Sequence, residues 1–269
     1  MLWASFGFAW MGLLVKDVSE EVPTAQVVAW RTTATMVVVG LIALARGTSL
    51  RPRNVPMQLV RALVGLSSMS AYFWSISRLP LGDAVLLTYL SPILVAGWSW
   101  WGAGEVVTGA VWGASLLGLV GVALVASPSG STDWAGIAAA LAASVFAASA
   151  YLSVRVLSRT DAPEVIVFWF SLVGAVLSSA AFVVQGVVVP DATTAGELVG
   201  MGLLGAAAQH LMTRAYARGS AARMSVYSYA TPVFAYGMGW GFRGEVPPAT
   251  SVLGAACVVV AGVWVARRS

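Results

Sequence analysis

Apolar residues along this chain come in long runs separated by short polar breaks. Ten runs are legible, at approximately 1–16, 22–45, 57–77, 82–102, 107–126, 134–155, 164–186, 196–216, 222–242 and 248–266. Most approach the ~20 residues that a helix needs to cross the hydrocarbon core of a bilayer. The breaks carry charged and helix-ending residues: KDVSEEVP before the second run, RGTSLRPRNVP before the third, RLPLGD before the fourth and SPSGSTD before the sixth. The pattern predicts an all-α integral membrane protein of ten transmembrane helices. The first run has no basic n-region and no cleavage site, so it reads as a span rather than a signal peptide.

Composition points to the same solvent. Apolar residues make up 59% of the chain and charged residues 10%, against about 25% charged in a soluble domain. The mean hydropathy is +0.84. The net charge of +4 is therefore no sign of nucleic acid; its meaning lies in where the arginines fall. With the N-terminus in the cytoplasm, the inner side receives Arg46, Arg51, Arg53, Arg61, Arg155, Arg159, Arg214, Arg218, Arg223, Arg267 and Arg268, and the outer side Lys16, Arg78 and Arg243. That bias predicts both termini inside. Cys257 is the single cysteine, which excludes an intrachain disulfide and a cysteine-based zinc site. It reads as a small packing residue.

A repeat divides the chain. Tyr89–Glu105 reads YLSPILVAGWSWWGAGE and Tyr229–Glu245 reads YATPVFAYGMGWGFRGE. Tyr89/Tyr229, Pro92/Pro232, Gly97/Gly237, Trp100/Trp240, Gly104/Gly244 and Glu105/Glu245 match at one offset, 140 residues. Six matches in seventeen positions exceed the one or two expected at roughly 7% per position. The expected division is 1–126 with five helices, a linker at 127–133, and 134–269 with five more. Five is odd, so the second half enters the membrane inverted relative to the first. Inverted repeats place a substrate site near the midplane, where the halves meet.

Within this frame the repeated prolines, Pro92 and Pro232, fall mid-run. A proline there kinks the helix and frees the carbonyl four residues back, of Thr88 and Ser228. They read as hinges or as static kinks. Glu105 and Glu245 each follow a glycine and open a helix, where a carboxylate complements the helix dipole. A gate ion pair is the functional alternative. Arg31 stands eight residues past Pro23, about 12 Å along a helix. An ionisable group that deep is a functional-site hypothesis, with a substrate carboxylate as one counter-group. The other reading is a structural interhelical bond. His210 is the only histidine, in one stripe with Arg214 and Arg218. It reads as a hydrogen-bonded neutral imidazole or as a proton carrier.

Aromatic residues extend the candidate cavity: Trp10, Tyr72, Trp74, Tyr89, Tyr151, Trp169, Tyr227 and Tyr229 lie away from the expected interfaces. Together they would form an apolar cavity with hydroxyl handles; for any one ring, core packing is the alternative. Trp101, Trp134 and Trp264 near run ends read as an interfacial belt. Gly109-x-x-x-Gly113 and Gly237-x-x-x-Gly241 are expected to let helices approach closely.

Ten helices in two five-helix repeats, each with Y-x-x-P…G-E before its last helix, resemble the drug/metabolite transporter superfamily, and its EamA-type members in particular. Trp30-Arg31, the A-x-x-Y-x-x-x-R of Ala148 to Arg155, and the stretch RGSAARMSVYSYATPVFAYGMGWGFRGE carry the resemblance further. It implies a secondary transporter of the plasma membrane, with export of amino acids, aromatic ones included, among the activities of such proteins. Vitamins, nucleotide-type compounds and other metabolites or drugs are alternative cargoes, and a channel or a non-transporting scaffold a more distant reading. No HExxH, GxSxG or P-loop pattern occurs, and no glycine-rich strand-to-helix turn of the Rossmann kind, so neither an enzyme, a cofactor nor a metal site is expected. The expected partners are a small-molecule substrate, the lipid bilayer and protons, with the protein a monomer or weak dimer.

Overall fold

In the computed structural model, residues 1–18, 21–76, 78–79, 81–101, 107–126, 133–243 and 249–267 are described. They form helices throughout, with no strand among them. In chain order these are α1 (Leu2–Val18), α2 (Thr24–Ala45), α3 (Val55–Ile76), α4 (Leu81–Thr88), α5 (Ser91–Trp101), α6 (Gly109–Ala126), α7 (Trp134–Leu157), α8 (Pro163–Gln185), α9 (Ala192–Arg218), α10 (Ala221–Val226), a single 3-10 turn (Tyr227–Tyr229), α11 (Ala230–Arg243) and α12 (Ala249–Arg267).

Five stretches are long and apolar enough to cross a membrane: Thr24–Ala45, Ala84–Trp101, Trp134–Leu157, Pro163–Ala181 and Ala249–Arg267. Leu2–Val15 and Gly109–Leu124 are apolar but shorter. The long helices missing from both sets are α3 and α9. They carry Gln58, Arg61, Gln209, His210 and Arg214, so the helices that fall short in hydropathy are those that bring polar side chains inward.

Two of the expected continuous runs are broken. The fourth becomes α4 and α5, which meet at Tyr89 and Leu90; the ninth becomes α10, the 3-10 turn and α11. Pro92 stands in the first turn of α5 and Pro232 in the first turn of α11, where a missing N–H costs nothing because it has no intrahelical partner. The sequence Tyr-x-x-Pro thus restarts a helix rather than bending one. The two breaks face each other: the Ser225 hydroxyl, in α10, points at the Pro92 carbonyl at 3.5 Å.

The main packed pairs join the two halves of the chain: α1 with α9, α2 with α8, α3 with α7, and α6 with α12. Pairing α1 with α7, α2 with α8, α3 with α9, α4–α5 with α10–α11, and α6 with α12 as counterparts maps this set onto itself. The contacts α1–α11 and α5–α7 exchange in the same way, as do α2–α9 and α3–α8.

Small residues permit the close approaches, but not all at the expected places. Among the described residues no atom would lie within 4 Å of a Cβ added at Gly109, Gly237 or Gly241, so those three glycines form no helix seam there. The seam between α6 and α12 sits one to three turns further on. A Cβ at Gly121 would be 2.7 Å from the Gly254 carbonyl oxygen, and one at Gly113 2.7 Å from the Trp264 ring. Cys257 packs at the same seam, 3.1 Å from that position at Gly121.

Two carboxylates cap helices at the rim. Asp133 accepts from the Ala135 and Gly136 amides at 3.0 and 3.1 Å, and Asp191 from the Thr194 amide at 2.7 Å. These amide bonds favour the ionised form and hold both carboxyls below their usual range. Their contribution is therefore present above the ordinary carboxylate range and is lost as pH falls through the lowered values.

The ring of Tyr229 is fully buried and lies on Gly118, where an added Cβ would stand 2.4 Å from Cδ2. Gly118→Ala should therefore destabilise the protein by about 1–3 kcal/mol through overpacking. Thermal unfolding of detergent-solubilised protein tests this; an unchanged midpoint would show that the ring has room to move.

Candidate functional site

Two arginines lie in the interior. Arg31 is the eighth residue of α2 and is 6% exposed. Its Nε donates to Met11 Sδ of α1 at 3.3 Å, and its Nη1 points to Met69 Sδ of α3. Gly205 of α9 makes room for it, since a Cβ there would stand 3.3 Å from Nε. Thioether sulfur is a weak acceptor with no charge. Arg61 is the seventh residue of α3 and is 3% exposed. Its guanidinium folds back over Gly65 and lies 4.5 Å from the Phe170 ring centre of α8. Its Nε and Nη1 are buried without a hydrogen-bond partner. This corrects the placement of Arg61 among the cytoplasmic interfacial cations. The glycine one turn on and the Phe170 face let the side chain turn inward instead of extending to the headgroups.

Tyrosines lie in the same interior. Tyr151 of α7 stacks on Tyr216 of α9, centroids 5.1 Å apart and planes 12° apart. Tyr89, at the α4–α5 break, lies within side-chain hydrogen-bonding reach of Thr231. Its ring is 6.2 Å from that of Tyr229, in the 3-10 turn. The hydroxyls of Tyr216 and Tyr229 are buried and unpartnered, as is Nε2 of Gln209. The unpartnered groups include the N–H donors of Arg61 and Gln209, and among the described residues no carboxylate pairs with either arginine.

Several predicted residues lie elsewhere. Trp74 is 43% exposed, with the Arg78 guanidinium 4.6 Å over its ring. Its position on α3 turns it outward, away from the face that carries Arg61. Trp169 donates from Nε1 to the Leu50 carbonyl at 3.0 Å, which ties the ring to the segment joining α2 and α3. Trp10 packs edge-on against Phe242 at 5.2 Å, in the seam of α1 with α11. Tyr227 lies against α12, where a Cβ at Gly262 would be 3.8 Å from its ring. Glu105 and Glu245 lie outside the described residues, as does Arg268.

His210 belongs to a second polar group. Its Nε2 is 3.8 Å from Glu164 Oε1, the same oxygen that accepts from Arg46 Nη1 at 2.9 Å. Nδ1 of His210 is buried and unpartnered, and Arg214 acts electrostatically on the ring. His210 therefore has an acidic neighbour, supplied by the first turn of α8 rather than by its own helix. Sequence reasoning passed over Arg61, Glu164 and Tyr216. Arg61 carried a signal, an ionisable residue at the fifth position of an apolar run. Nothing local marked Glu164, beyond its place next to Pro163, or Tyr216.

The fold and its interior can be set beside known proteins. A profile of the EamA-like transporter family matches residues 1–127 and again residues 134–267. A pseudopaline exporter of Pseudomonas aeruginosa (strain UCBPP-PA14) is 32% identical over 98% of this chain and 93% of its own length. A riboflavin transporter of Rhizobium johnstonii is 27% identical over 78% of this chain and 70% of its own. Human solute carrier family 35 member G1 is 26% identical over 99% of this chain and 78% of its own. One crystal structure superposes with a TM-score of 0.89 over 98% of this chain and 95% of its own at 22% identity, a likeness of fold alone.

The unpartnered tyrosine hydroxyls give a test independent of any ligand. Removing a buried hydroxyl that has no partner loses no bond, so Tyr216→Phe and Tyr229→Phe should leave stability unchanged or raise it by up to about 1 kcal/mol. Unfolding midpoints of the purified variants measure this; a clear drop in either would reveal an acceptor at that hydroxyl.

Proposed function

The chain belongs to the EamA-like transporter family, and from that premise we propose that it is a secondary transporter. In this reading it exports a small amphipathic metabolite, an amino acid or a relative of one, across the plasma membrane by alternating access. The observation that carries the reading is Arg31: a cation 6% exposed, held by two uncharged thioethers. An arginine in the middle of a membrane helix costs about 2.5–3.5 kcal/mol on insertion scales. A transported carboxylate supplies the missing counter-charge in one conformation and leaves with release.

Two halves related by inversion supply the machinery. The repeat at an offset of 140 residues, the separate profile matches to residues 1–127 and 134–267, and the set of packed pairs that maps onto itself under exchange of counterparts all support it. Each half can then adopt the other's conformation, which is what alternation of access requires. The helix breaks at Tyr89 and at Tyr227–Tyr229 are the hinge points in this scheme. The name of the pseudomonad relative supports outward transport. The arginine distribution supports cytoplasmic termini, and Glu164 beside His210 supports coupling to protons.

Counterflow in proteoliposomes tests the function, using labelled amino acids and related carboxylates with and without a pH gradient. Uptake above that of protein-free vesicles is expected for at least one compound, with no single-channel conductance. Channel-like conductance, or no flux for any compound, would overturn the reading. At matched membrane abundance Arg31→Lys should lower flux about tenfold or more, because the charge stays while the two-pronged geometry goes. His210→Gln and Glu164→Gln should each flatten the dependence of flux on pH. Wild-type profiles in both would leave that pair a structural role.

Orientation is checked separately. In a Cys257→Ser background, Ser49→Cys should be labelled from the cytoplasmic side and Thr193→Cys from outside. The reverse pattern at both positions would overturn the assigned topology.

A further inference from the structure

The site contains a second cation, and its surroundings narrow the cargo. Arg61 is 3% exposed and reaches the interior from α3, while Arg31 reaches it from α2. Both guanidinium groups come to α3: that of Arg61 lies over Gly65, and Nη1 of Arg31 points to Met69 Sδ, one turn further along the same helix. Two like charges in one apolar interior repel unless something of opposite sign stands between them. Among the described residues no carboxylate does so. Arg61 Nε and Nη1 have no hydrogen-bond partner, and the Tyr216 hydroxyl is also unpartnered. Arg31 is met by the thioethers of Met11 and Met69, weak acceptors that a carboxylate displaces readily.

We infer that Arg31 and Arg61 form one two-cation site for a ligand bearing two carboxylates on an aromatic or apolar body. Each guanidinium takes one carboxylate. The stacked Tyr151 and Tyr216 and the face of Phe170 hold the body, and the free phenol of Tyr216 adds a donor. A ligand with one carboxylate would leave one guanidinium buried and unpaired, and so is discriminated against by what it fails to satisfy. Arg61 is then a specificity-determining residue of the transport site. This inference rests on the transporter reading only for the fate of the ligand; the binding preference stands without it.

The test uses a matched pair of probes, benzylsuccinate and 3-phenylpropionate, which share an aromatic body and differ in carboxylate number. Calorimetric titration at neutral pH into the full chain in lipid nanodiscs should show benzylsuccinate binding at least tenfold tighter. Arg61→Gln should abolish that difference while leaving 3-phenylpropionate affinity within about threefold. Arg61→Lys should keep part of the preference, because charge remains. Equal affinity of the wild type for both probes, or binding of neither, would overturn the inference. If Arg61→Gln fails to fold, the wild-type comparison still decides it. Phenyl phosphate, which places its charge on one group, should bind more weakly than benzylsuccinate; tighter binding would refute a site for two separate carboxylates. Counterflow of labelled benzylsuccinate separates the two readings. Binding preference without flux retains the dicarboxylate site and refutes transport of this cargo class. Flux of labelled phenylalanine with no probe preference retains transport and refutes the dicarboxylate site.

Discussion

Two arginines buried with no carboxylate among the described residues to pair them are the constraint around which this interior is arranged. Charge in a membrane interior is costly, and the usual remedies are pairing with an acid or extension to the headgroups. Arg31 and Arg61 use neither. One is lodged among thioethers and the other lies on an aromatic face. The surrounding helices accommodate them at positions without side-chain bulk. Gly65 lets Arg61 lie on its own helix, and Gly205 lets α9 pass Arg31. Both guanidinium groups are thus fixed by packing, with no carboxylate to meet them among the described residues.

The packing that creates this interior is between the halves rather than within them. Helix pairs α1–α9, α2–α8, α3–α7 and α6–α12 are each drawn from both halves. The close contacts are made by glycine against backbone or ring, as Gly121 meets Gly254 and Gly118 meets Tyr229. In hydrocarbon, close approach matters more than apolar character, since lipid tails offer apolar contact everywhere. The broken helices lie across this same interface. Tyr89 and Tyr229 mark the two breaks and approach each other, so any change at one break is felt by a ring at the other.

A second polar group stands apart from the arginine pair. Glu164 joins α8 to Arg46 of α2 and faces His210 of α9. Arg46 is half exposed and Glu164 nearly buried, so the carboxylate is the element held in place and the arginine the one that reaches to it. The helices α2 and α9 meet in this group, and both also border Arg31. A change in protonation at His210 would alter the charge at a point shared by these two helices.

Much of this architecture was legible in one dimension. Helical runs, their limits to within a few residues, an irregularity at each Tyr-x-x-Pro and the membrane as solvent all follow from hydropathy, proline chemistry and spacing, although the expected kinks prove to be helix restarts. These are local properties, set by residues within one or two turns of each other. Arg31 was visible for the same reason, a charge too far from either end of an apolar run. What the tertiary structure decided was direction and company. Arg61 has the same kind of depth, but whether such a side chain extends to the headgroups or folds inward depends on Gly65 and on a ring from α8. Trp74 and Trp169 share the depth of the cavity residues and yet are turned to the Arg78 guanidinium and the Leu50 carbonyl. Glu164 meets His210 across 46 positions of sequence. Spacing along a helix states how deep a side chain sits; only the neighbouring helices, through steric room and partners, state which way it points and what it meets.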